Sequence, residues 1–242
     1  MATAIVIDGA FFLRRFRHSF PTLNASSPKD IALGVQLLGF WHLAHRMTPK
    51  MMTAAIKEQG LQPAETSELY RVFFYDCPPL VKKLHLPVSG KALDLSKTEE
   101  AVFRLAAHRE IQKVRKVALR LGRLNETVNW RLKPEATTQL RKDPSAFRPS
   151  DDHFEIDTKQ KGVDMRLGLD VAAMAFKRQV NQIVLVAADA DFVPAAKLAR
   201  REGIDVVLDK MHDRRAATDL IDHVDGVRDC YCPHPQPESP KL

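Results

Sequence analysis

Cysteine is scarce in this 242-residue chain: three residues, an odd number, which argues against a disulfide framework and for reduced thiols. Long apolar runs are missing as well. No stretch approaches the roughly 18 consecutive apolar residues of a membrane helix. The apolar AIVI near the start runs into Asp8 and not into a signal-peptide cleavage site, so the expectation is a cytoplasmic chain. No P-loop, G-x-G-x-x-G or G-x-S-x-G occurs, which counts against nucleoside-triphosphate, dinucleotide and acyl-hydrolase functions.

What is present is enough for a folded domain. A hydrophobic content of 45% can fill a core, and the length suits one large domain or a domain carrying an insertion. The formal net charge of +7 points to an anionic partner. Residues 101–148 hold twelve Lys/Arg against four Asp/Glu, so this one segment carries the whole excess.

Four short apolar runs read as buried strands: TAIVIDG (3–9), RVFFYD (71–76), QIVLVAADADF (182–192, with its exit) and IDVVLD (204–209). Between them lie helical patterns. Ser27 before Pro28 opens a helix toward His45, and Thr48 with Pro49 opens another that Gly60 stops. Residues 99–123 read as one helix, with Arg109, Lys113, Lys116, Arg120 and Arg123 along its polar side. KGVDMRLGLDVAAMAFKRQ (161–179) and PAAKLARREG (194–203) read as two more. Alternating strands and helices predict a central parallel sheet with helices on both faces.

The expected domain spans 1–229, with a basic helical and loop insertion at about 80–153; residues 230–242 are Pro-rich and read as a disordered tail. Cys230, Cys232 and His234 alternate there, but their spacing is not that of a common zinc finger, and alternation in a final strand accounts for it. Phosphate contact is expected along the basic stripe, with Trp130 available to stack on a base or to pack.

Four acids stand at strand ends: Asp8, Asp76, Asp189 and Asp209. Asp191 follows two residues after Asp189, and Asp164 opens the helix before that strand. In a parallel α/β sheet, sites form beyond the carboxyl ends of the strands, where strand order reverses. One aspartate at a strand-to-helix junction is explained by capping. Asp189 and Asp191 together are not, because like charges so close raise each other's pKa unless a cation or donor offsets them. Asp8, Asp164, Asp189 and Asp191 are therefore the candidate site, while Asp76 and Asp209 are read as turn residues. Asp170, six positions from Asp164, is expected to point away from it.

IDG at 7–9, KGVD at 161–164, VLVAADADFVP at 184–194 and the following LARREGIDVVL together resemble the NYN domain of the PIN-like nuclease group, over a span from Ala4 to about Asp229. The resemblance implies a Rossmann-like three-layer α/β/α sandwich and a metal-dependent ribonuclease. It also implies that Asp8, Asp164, Asp189 and Asp191 hold Mg²⁺ or Mn²⁺, and that RNA is the partner. Two departures stand out. Many relatives carry an Asn after IDG, where this chain has Ala10, Phe11 and Phe12, and a Ser or Asn beside the late acids, where it has Ala188 and Ala190. A non-catalytic RNA-binding or scaffold module on the same fold is the first rival. A phosphatase-like hydrolase with Asp8 as nucleophile is the second, weakened because no acid follows Asp8 at the second position.

Overall fold

The computed structural model describes residues 2–43, 69–124, 128–158 and 160–229. The chain opens with strand β1 (Thr3–Asp8), followed by helices α1 (Gly9–Ser19) and α2 (Pro28–Leu43). Next come β2 (Leu69–Asp76), the short strands β3 (Lys83–His85) and β4 (Ala92–Asp94), helix α3 (Glu99–Lys113) and strand β5 (Val117–Leu121). A small region follows: β6 (Arg123–Leu124), β7 (Asn129–Leu132), α4 (Pro134–Lys142), β8 (Phe154–Asp157) and β9 (Gln160–Lys161). The last part holds α5 (Val163–Phe176), β10 (Gln182–Val186), α6 (Val193–Arg201), β11 (Asp205–Asp209), α7 (Thr218–Asp222) and β12 (Gly226–Val227).

Six strands form one parallel sheet in the order β12-β11-β10-β1-β2-β5. Successive side chains of a strand point to opposite faces, so a strand covered on both sides must be apolar at every position. β1 shows this directly. Ala4 and Val6 join a core shared with α5, α6 and α7, while Ile5 and Ile7 join a second core with α1, α2 and α3. The expected α/β/α sandwich is the fold observed. Among the described residues, no helix is long and apolar enough to cross a membrane.

Several details differ from the sequence reading. The helix expected over residues 99–123 stops at Lys113, and Val117–Leu121 is a strand of the central sheet, paired in parallel with β2 from Val72↔Val117 to Asp76↔Leu121. The break lies at Lys116, which takes a left-handed φ of 62°. The VALRL segment satisfies its backbone on the open edge of β2, and that pairing outweighs a helical spacing of its apolar residues. The five cations therefore do not share one helix face. The interval 80–153 is not one insertion either: α3 packs on α2 and β5 belongs to the sheet, leaving β3–β4 and the β7–β8 pair as peripheral additions. Helix α1 turns Phe11, Phe12 and Phe16 into the core, and Phe20 follows just beyond its end. The helix expected at Thr48–Gly60 and the Cys230, Cys232 and His234 alternation lie outside the described residues.

Gly9 is held by a close approach. A Cβ there would stand 2.6 Å from the Tyr75 carbonyl oxygen and 2.6 Å from the Phe74 ring, because α1 leaves β1 directly against β2. Gly9→Ala is expected to cost about 1–3 kcal/mol of stability by overpacking, read as a lower urea midpoint with an unchanged slope.

Candidate active site

The chain runs from β1 outward through β2 to β5, then returns to the other side of β1 with β10. Strand order thus reverses between β1 and β10, the place where parallel α/β sheets gather their sites. Ile7 pairs with Val186 across this point, so Asp8 and the residues after β10 leave the sheet side by side.

Asp8 caps α1: its Oδ1 accepts hydrogen bonds from the amides of Ala10 at 3.0 Å and Phe11 at 3.3 Å. Its pKa is nevertheless raised from 3.8 to about 6. Burial is the largest cause. The two amide bonds and the Arg14 guanidinium oppose the rise, and the Asp164 charge adds to it. Asp164 lies in the first turn of α5, after Gly162 at φ 79°, a left-handed conformation natural to glycine. Its pKa is also raised, first by burial and then by the charges of Asp191 and Asp189. Asp189 caps a single 3₁₀ turn, Ala190–Phe192, by accepting from the Asp191 amide at 3.1 Å.

Asp164 therefore links the predicted acids: its charge acts on Asp8, and those of Asp191 and Asp189 act on it. Capping accounts for Asp8 and Asp189. Among the described residues the carboxylates of Asp164 and Asp191 take no hydrogen bond or ion pair from the protein. Mutually repelling, unneutralised carboxylates are hard oxygen donors of the kind that suits a divalent ion. Among the described residues, no three acids, histidines or cysteines stand close enough to coordinate one ion together. The donor set fits an ion held through one or two carboxylates and otherwise by water, the usual habit of Mg²⁺.

The hydrophobic departures in the motifs have a structural reason. Phe12 packs at 5.6 Å from Phe16, 6.0 Å from Phe20 and 5.7 Å from Phe74, ring centre to ring centre. Phe11 is equally buried. Ala188 and Ala190 pack against the cores on opposite faces of the sheet.

The remaining acids are neutralised, which the sequence reading missed. Asp76 is buried and accepts from Arg104 Nη1 at 2.7 Å and the Cys77 amide at 2.8 Å, with His108 Nε2 at 2.8 Å. Asp209 is buried against His42 Nε2 at 2.8 Å and accepts from the Met211 amide at 2.7 Å. Both were expected to be turn residues. Asp170 takes the Tyr75 hydroxyl at 2.8 Å and pairs with Arg120 at 3.1 Å. The remaining cations of the expected stripe are scattered. Lys113 pairs with Glu110, Lys116 Nζ donates to the Leu69 carbonyl, and Arg109 and Arg123 are exposed without an ion pair among the described residues. The Trp130 indole donates to the His85 carbonyl at 3.1 Å, tying β7 to β3.

A three-layer sandwich with acids at its switch point has the architecture of the PIN-like nuclease fold. The chain belongs to the NYN domain family, which matches residues 105–230, just over half its length. A solved structure, of a protein of unknown function from Vibrio parahaemolyticus RIMD 2210633, is similar at 16% identity. It covers 93% of this chain and 90% of that chain at a TM-score of 0.44, a likeness too slight to bear on chemistry. No curated protein matches the chain.

The raised Asp8 pKa carries a sign. Between about pH 4 and 6 the folded state holds a proton that the unfolded state releases, so stability falls as pH rises through that window and stays lower above it. In EDTA, Asp8→Asn is expected to remove up to about 3 kcal/mol of this decline while retaining the cap. Urea unfolding of both proteins at pH 4.5 and pH 7.5 measures it; parallel pH profiles would contradict the assignment.

Proposed function

We propose that this chain is a metal-dependent ribonuclease, an endonuclease that hydrolyses RNA phosphodiester bonds at Asp8, Asp164, Asp189 and Asp191. The reading is carried by the charge interactions that link Asp164 to Asp8, Asp189 and Asp191 at the switch point of the sheet. Membership of a PIN-like nuclease family supports it. Asp164 and Asp191 are the carboxylates to hold hydrated Mg²⁺ or Mn²⁺. Such an ion, when bound, lowers the pKa of a water and offsets charge on the scissile phosphate.

The rest of the chemistry falls to the protein's own groups. Asp8, with a carboxyl titrating near pH 6, is suited to take a proton from the attacking water. Asp189 keeps Asp191 in place through the 3₁₀ turn. Arg109 and Arg123, exposed and without an ion pair among the described residues, are the members of the basic set best placed for contact with the RNA backbone, and Lys113 is exposed but paired with Glu110. Lys116 and Arg120 already serve Leu69 and Asp170, and Trp130 serves His85.

A second reading rests on a specific observation. With Phe11, Phe12, Ala188 and Ala190 packed into the cores, the site has few neutral polar groups to orient water. That favours a non-catalytic RNA-binding module on the same fold.

Labelled single-stranded RNA and the matching DNA, incubated with Mn²⁺, Mg²⁺ or EDTA, separate the two. Cleavage of RNA alone is expected, requiring metal and falling by at least about 100-fold in Asp8→Asn and Asp191→Asn. Full activity in both variants would remove these residues from the mechanism. Intact RNA under every condition, with a gel shift retained, would select the binding module.

A further inference from the structure

A cleft of about 650 Å³ is formed by α1 and the loop after β11. Four cations line it, Arg15, Lys210, Arg214 and Arg215, together with His18 and His212. We propose that this cleft binds the phosphate backbone of single-stranded RNA and so continues the substrate path out of the acidic site. The proposal rests on the RNA reading above and adds a subsite outside the basic stripe expected at residues 101–148.

Position is the first argument. β11 lies two strands from β1 in the sheet, about 10 Å at the usual strand spacing. The cleft thus occupies the same carboxyl edge as Asp8 and Asp189. Arg14, one residue before Arg15, acts electrostatically on both Asp8 and Asp213, so acidic site and basic cleft share a border.

The second argument is that the cleft is built and held. Met211 and His212 are successive non-glycine residues with left-handed φ of 46° and 58°. Each such residue costs on the order of 1 kcal/mol or more and persists only where its surroundings over-determine it. They do so here. The Asp209 carboxylate, braced by buried His42, accepts from the Met211 amide at 2.7 Å. The Met211 carbonyl accepts from Arg15 Nε at 3.1 Å, Arg15 Nη2 at 2.9 Å and the Ser19 hydroxyl at 3.4 Å. Asp229 accepts from the His212 amide at 2.9 Å.

Charge is the third. The two acids of the lining accept from the loop's backbone, Asp229 from the His212 amide and Asp213 from the Arg215 amide at 2.9 Å; Asp229 also pairs with Lys210 at 3.8 Å and His212 at 3.6 Å, so the charge turned to solvent is that of Arg214 and Arg215. Arg214 and Arg215 stay exposed at the mouth. Arg215 meets Asp213 only at 3.7 Å with its side chain 86% exposed, a pair too weak in water to withhold it from a phosphate. A chain of phosphates, with repeated charge and no need for an apolar pocket, matches such a surface better than a peptide does.

The test is binding in EDTA, so that cleavage plays no part, of a fluorescent single-stranded RNA 12-mer over a series of salt concentrations. Arg214→Gln with Arg215→Gln is expected to weaken binding about tenfold at low salt and to flatten the log–log salt slope by about 1.4, as for two lost phosphate contacts on a single strand. The charge-matched pair Lys177→Gln with Arg178→Gln, before β10 at the opposite end of the sheet, should bind as the parent does. Equal affinity and slope in the Arg214 and Arg215 variant would overturn the proposal, as would an equal loss in the Lys177 and Arg178 variant. A parent that cleaves RNA while its affinity ignores the cleft sinks this subsite alone; a parent that binds no RNA sinks the ribonuclease reading with it.

Discussion

Burial of β1 on both faces is the constraint from which the rest of the molecule follows. A strand with cores above and below has no lateral position for a polar side chain, so its first charged group after the apolar run, Asp8, appears where the strand leaves the sheet. β2, β10 and β11 obey the same rule, and Asp76, Asp189 and Asp209 appear at their exits. Val72–Tyr75, Ile183–Val186 and Val206–Leu208 are buried throughout, so charge in these strands collects toward their ends, with Arg71 and Asp205 near the start and Asp76 and Asp209 at the exit.

That edge then divides by what each acid finds. Asp76 and Asp209 turn inward and meet histidines, with Arg104 as a further partner of Asp76, so their charges serve the fold. Asp164 and Asp191 turn outward and find only other carboxylates. Both are exposed to water, and a carboxylate with no partner among the described residues beside like charges is a candidate for function. The distinction lies in the partners, since the residue type is the same in both groups.

The two-sided strands were legible in the sequence because they are short, uninterrupted apolar runs ending in acids. β5 was not, since at the sheet edge VALRL sets one cation, Arg120, among aliphatics and follows a helix with compatible spacing. α1 was hidden for a similar reason: arginines interleave its phenylalanines, and the buried side emerges only when they are laid on a helix. The charge interactions of Asp164 with Asp8, Asp189 and Asp191 join residues that motif order and strand topology single out in the sequence. The roles of Asp76 and Asp209 could not be read there, because His108 and His42 stand 32 and 167 residues away and nothing in the local sequence announces them. The loop cleft was equally invisible, as it joins α1 to a turn almost two hundred residues later.

Asp8 does two things with one carboxylate. One oxygen starts α1 through the Ala10 and Phe11 amides, and the group as a whole contributes its charge to the candidate site. An asparagine there would still present a carbonyl oxygen to both amides. Scaffold and the proposed chemistry therefore meet at a residue where they can be separated by exchanging one oxygen for an amino group. A lineage carrying this fold has a short evolutionary route from processing a nucleic acid to merely holding it.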